Sequence, residues 1–172
     1  MNYFDLFEIP VQLKVDTSGL TKKFFELSRK YHPDHFIREG DEARAGSLDR
    51  SAQLNKAWKT FQQPDETIKY VLQLKGLLEE EEKYDLPPDF LMEVLEINEK
   101  LMDVQPDNKA AIKEEIKSAI ADLQLEIYSP VKNIIENYEE GVTSEIELLQ
   151  VKEYYYKKKY LARINRQLDG KS

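Results

Sequence analysis

Leu20, Phe24, Leu27 and Tyr31 follow one another at i, i+4, i+7 and i+11. At about 100° per residue these four side chains fall within roughly 60° of each other, which makes one apolar helix face over residues 19–31. Asp16 or Ser18 can cap its start. Pro33 ends it, because proline lacks an N–H and disfavours helix in the residue before it. His32-Pro33-Asp34 is thereby expected in a tight, exposed turn. Three more helices fit the first 75 residues, at 3–7, 41–61 and 65–74. The segment 41–61 carries Leu48, Ser51, Asn55 and Trp58 along one stripe, widened by Leu54 and Phe61. A loop with Gly40 precedes it, and Pro64-Asp65 marks the break after it. The pattern predicts an antiparallel pair, 19–31 against 41–61, with His32-Pro33-Asp34 at one end.

Residues 76–88 read as a linker, since Glu79-Glu80-Glu81-Glu82 is a like-charge run and Leu86-Pro87-Pro88 cannot continue a helix. Beyond it the pattern predicts a three-helix domain over 89–172, with helices at 89–103, 108–139 and 143–168. Ile112, Ile116, Ile120, Leu123, Ile127, Ile134 and Tyr138 carry one stripe past Pro130, where a kink is expected. In the first of these helices Phe90, Val94, Ile97 and Leu101 form a core stripe. Leu91, Met92, Leu95, Glu96 and Glu99 fall on a second face, apolar with an acidic edge. The competing reading of that face is a wide core stripe with solvated glutamates. In the last helix Ile146, Leu149, Tyr160, Leu161, Ile164 and Leu168 share a face assigned to the core. Tyr155 falls opposite, with Leu148 and Val151, where it can join a partner surface or remain structural.

Composition narrows the chemistry. Only six glycines in 172 residues fit an all-α protein, and the absence of cysteine removes disulfides, thiolate metal sites and thiol catalysis. Residues 1–75 hold 12 Lys+Arg against 11 Asp+Glu, net +1, whereas 76–172 hold 13 against 22, net −9. The acidic second half disfavours nucleic acid, which rewards clustered positive charge, and favours a protein partner with a basic surface. Tyr154-Tyr155-Tyr156 before Lys157-Lys158-Lys159 is read as core and solvated faces rather than a nucleic-acid contact. No run of about 18 apolar residues is present, so no membrane span is expected. The opening Met1-Asn2-Tyr3-Phe4-Asp5 lacks the basic and apolar stretches of a secretion signal, which predicts a cytoplasmic protein. His32 and His35 fall short of an ordinary metal site, and no cofactor is expected. An enzyme using His32 and Asp34 as acid and base would need a pocket around them.

The first 75 residues resemble a J-domain. Asn2-Tyr3-Phe4-Asp5-Leu6-Phe7, Asp16-Thr17, Tyr31-His32-Pro33-Asp34, Ser51-Ala52-Gln53-Leu54-Asn55-Lys56-Ala57-Trp58 and Phe90-Leu91-Met92-Glu93 with Leu95-Glu96 resemble the HscB family of iron–sulfur cluster co-chaperones at matching spacings. The resemblance implies a J-domain at 1–75 and a scaffold-binding domain at 89–172. It implies a non-enzymatic adaptor that delivers the scaffold IscU to an HscA/DnaK-type ATPase and stimulates hydrolysis there. His32, Pro33, Asp34, Lys22, Lys23, Arg29 and Lys30 would meet the ATPase. Leu91, Met92, Leu95, Glu96, Glu99 and Tyr155 would meet the scaffold. Glu26 interrupts the basic face, and Thr67-Ile68-Lys69-Tyr70 departs from the wider J-domain pattern. The same J-domain with another client on the bundle is the alternative.

Overall fold

The computed structural model describes residues 1–170, and within them all regular structure is helical. The chain divides into two compact units, 1–75 with 138–143, and 76–137 with the remainder from 144.

In the first unit, α1 (Tyr3–Leu6) starts with a reciprocal Asn2–Asp5 capping box. The second helix, α2 (Thr17–Lys30), begins where the Asp16 carboxylate accepts from the Gly19 N–H. A 3₁₀ helix (Pro33–Phe36) follows, then α3 (Asp41–Phe61) and α4 (Pro64–Leu74). Gly40 has φ +98° immediately before α3, a backbone position that strains any L side chain. Phe24 stacks on Trp58 at 4.7 Å, and Arg50 lies over the Tyr31 ring at 5.5 Å. Contacts therefore descend α3 as they ascend α2, and the pair is antiparallel. Phe4, Phe7, Leu27, Leu54, Phe61 and Leu72 fill the core. Tyr70 stacks on Tyr3 at 4.3 Å while its hydroxyl accepts from the Tyr3 N–H, fixing α1 to α4.

The buried stripe of α3 differs from the expected one. Ser47, Leu54, Ala57 and Phe61 are buried, whereas Leu48 is 52% exposed and Asn55 is exposed. Ser47 satisfies its hydroxyl on the Arg44 carbonyl at 2.9 Å, so a small polar residue occupies the inner face there without penalty.

The second unit contains α5 (Pro88–Met102), α6 (Lys109–Tyr128), α7 (Lys132–Glu136) and α8 (Glu145–Leu168). Pro87 and Pro88 preset the entry to α5, and a Ser144–Glu147 capping box starts α8. The expected helix over 108–139 is two helices. Pro130 cannot donate to the ladder, so the chain makes a single turn, Val131 N–H to Tyr128 carbonyl, and restarts at Lys132. The apolar stripe nonetheless continues through buried Val131, Ile134 and Ile135.

One further expectation is corrected, in the first half of α8. Leu148, Val151, Tyr154, Tyr155, Leu161 and Ile164 are buried, while Ile146 and Leu149 are exposed. The first half of α8 thus faces inward along the stripe read as its outer side. Segment 76–87 forms no helix, yet it lies along α8: Glu82 pairs with Lys152 at 2.7 Å, and Tyr84 stacks on Tyr156 at 4.5 Å.

Candidate protein-interaction surfaces

The helix-breaking Pro33 sets the first surface. His32 is the N-cap of the 3₁₀ helix, with Pro33 at its first position, and its Nδ1 accepts from the Asp34 N–H at 3.3 Å. The His35 N–H closes the turn on the His32 carbonyl at 3.0 Å. The His32 and Asp34 side chains are 56% and 79% exposed, so the Asp34 carboxylate projects from a braced turn into solvent. Phe25, Ser28, Arg29, His32 and His35 line a shallow groove of about 250 Å³, and Asp34 is outside that lining. The His32 and His35 rings stand 6.4 Å apart, and no group of three or more metal-ligating side chains is assembled among the described residues.

On α2, Lys22, Arg29 and Lys30 are exposed. Lys23 is the exception among the expected basic residues, because it bonds Glu8 at 2.6 Å. That bond holds the Glu8 carboxyl below its usual range and the Lys23 ammonium above its own. Phe25, 56% exposed beside Arg29, is an apolar neighbour that the stripe reading left outside the site. Its only sequence signal is its phase, one step off the Leu20–Tyr31 stripe.

The second surface is the outer face of α5. Phe90, Val94 and Ile97 are buried, and Leu91, Met92 and Leu95 are 43%, 69% and 55% exposed. Glu96 and Glu99 are exposed along the same side. Three large apolar side chains on adjacent turns with carboxylates at their edge suit a protein partner carrying apolar and basic groups. Tyr155 does not belong with them: it is buried and meets the Tyr156 ring edge-on at 5.1 Å. Among the described residues no helix is long and apolar enough to cross a membrane.

A family model described as the HSCB C-terminal oligomerisation domain matches residues 86–169. A co-chaperone protein HscB homolog from Vibrio cholerae is 37% identical over 105 residues, 60% of this chain and 61% of that protein. The homolog from Photobacterium profundum is 35% identical over a stretch of the same length and coverage. The matched stretch thus spans about three fifths of the curated relatives. In structure, the chain is similar to the chaperone HscB from Vibrio cholerae, with a TM-score of 0.71 and 27% identity over 98% of this chain and 96% of that one. The human co-chaperone protein HscB gives a TM-score of 0.77 and 28% identity over 98% and 81%. Bundle, family match and whole-chain similarity agree: the chain is all-α, with an N-terminal J-domain and a C-terminal helical domain, and is similar along nearly its whole length to the HscB co-chaperones.

Proposed function

We propose that this chain is an adaptor of iron–sulfur cluster assembly that brings an IscU-type scaffold to an HscA/DnaK-type chaperone and stimulates ATP hydrolysis there. The observation that carries the reading is the exposed Asp34 carboxylate on a turn braced by His32 and Pro33. An exposed carboxylate held in one geometry competes for charge-assisted hydrogen bonds that keep an ATPase in its slow state, and no bond is made or broken on this chain. Lys22, Arg29 and Lys30 supply the attraction toward an acidic ATPase surface. Leu91, Met92 and Leu95, edged by Glu96 and Glu99, hold the scaffold.

Single-turnover ATP hydrolysis by an HscA-type chaperone, with this chain and IscU added separately and together, tests the reading. The expected result is stimulation by the chain, increased further by the scaffold. Asp34→Asn with unchanged helicity removes the stimulation; full stimulation by that variant overturns the reading. Leu91→Ala with Leu95→Ala removes the scaffold's added effect and weakens scaffold binding by about 2 kcal/mol, for two half-exposed leucines. Intact scaffold binding by this pair of substitutions rejects the assigned face.

A further inference from the structure

The second unit is acidic overall, yet one groove on it is cationic. Glu82, Tyr84, Leu86, Tyr156, Lys159, Tyr160, Arg163 and Arg166 enclose about 340 Å³. Lys159, Arg163 and Arg166 recur at i, i+4 and i+7 on α8, so their heads follow one helix face for about 10 Å. All three are exposed, and none forms an ion pair among the described residues.

The single carboxylate in the lining does not neutralise them. Glu82 is committed to Lys152 at 2.7 Å, with only 20% of its side chain exposed, and Tyr156 also hydrogen-bonds it. The wall is aromatic: Tyr84 and Tyr156 stack within 4° of parallel, and the Arg163 guanidinium lies 4.8 Å over the Tyr160 ring. A guanidinium stacked on a ring is oriented and weakly hydrated, and its outward edge presents paired N–H donors to a carboxylate.

We propose that this groove docks an acidic helical segment of a partner protein, whose carboxylates, one helical turn apart, pair with Lys159, Arg163 and Arg166 while its aliphatic stems lie on the tyrosines. Charge complementarity selects the occupant. Nucleic acid fits poorly, because three cations neutralise few phosphates and residues 76–172 carry net −9 (13 Lys+Arg against 22 Asp+Glu). The proposal is independent of the α5 face.

The test is fluorescence anisotropy of the full chain with a fluorescein-labelled alanine-rich helical peptide carrying Glu at positions 1, 5 and 8, and with its Gln counterpart. The Glu peptide is expected to bind, and the Gln peptide to bind at least about tenfold more weakly. Arg163→Glu with Arg166→Glu abolishes binding, Arg163→Lys weakens it partly, and Lys132→Glu on α7 leaves it unchanged; Arg163→Gln serves if the double variant unfolds. Equal binding of both peptides, or equal loss in Lys132→Glu, overturns the proposal. So does tighter binding of a labelled 12-nucleotide single strand. Self-association in sedimentation that Arg163→Glu abolishes gives the groove to a second copy, and also overturns it.

Discussion

His32 Nδ1 accepts the backbone N–H of Asp34, so the first residue of the turn fixes the direction of the third. With Nδ1 as acceptor, a neutral His32 carries its proton on Nε2, the nitrogen free to meet a partner. His32→Ala removes this acceptor and releases the Asp34 amide. His32→Asn restores a side-chain oxygen at the N-cap and should retain the turn. The expected outcome is an Asp34 amide resonance that shifts and exchanges faster in the alanine variant and stays near wild type in the asparagine variant. Identical Asp34 exchange in all three forms would show that the cap does not brace the turn.

Phe24 and Trp58 stack at 9° and 4.7 Å and join α2 to α3 behind the basic face. Phe24→Leu keeps apolar volume but loses the ring pair, and should lower first-unit stability by about 1 kcal/mol. Trp58 is the sole tryptophan, so its emission reports the change directly. An unaltered denaturation midpoint followed by that emission would count against the stack as a stabilising contact.

Glu82 holds segment 76–88 to α8. The hydrogen bond from Lys152 lowers its carboxyl below the usual range, against the opposing effect of burial. A depressed carboxyl stabilises the fold fully above the ordinary glutamate value, near 4.3, and that contribution is lost as pH falls through the lower folded value. Glu82→Gln should therefore cost on the order of 1 kcal/mol at pH 7, and the difference from wild type should vanish toward pH 2–3. Urea titrations at both pH values check it; a difference that persists unchanged in acid contradicts the ionic origin.

The legible parts of this fold are those in which local chemistry admits one solution. Pro33, Gly40 and Pro64 bound the helices of the first unit wherever the apolar period stops, and α3 spans 41–61 as read. The two faces of α5 separate cleanly because Phe90, Val94 and Ile97 leave Leu91, Met92 and Leu95 no share of the same side. On α8 the period could not choose: Ile146 with Leu149 and Leu148 with Val151 are equally apolar pairs on opposite faces. The inward face is set by Tyr128 against Tyr154 and Tyr84 against Tyr156, contacts between residues far apart in sequence. Tyr155 shares the inward face with Leu148 and Val151, and of its two open readings the structural one fits its burial. At Pro130 the stripe and the backbone obey different rules, since burial needs only the side chains in phase whereas the ladder needs every N–H.

The flank of α5 that faces α6 and α8 also carries a destabilising charge. Burial raises the Glu93 carboxyl above its usual range, and the negative charges of Glu126, Asp89 and Glu96 raise it further, with Lys157 opposing. Those side chains surround Glu93 in the grooves between α5, α6 and α8. A raised carboxyl favours the fold below the unfolded value near 4.3, and this advantage is lost as pH rises through the folded value. At neutral pH the ionised Glu93 is therefore a liability that Glu93→Gln removes at nearly constant volume. The variant should unfold at higher urea than wild type at pH 7, with a gap that shrinks in high salt and closes or reverses near pH 3. A stabilisation of equal size at pH 3 and pH 7 would point to packing rather than charge.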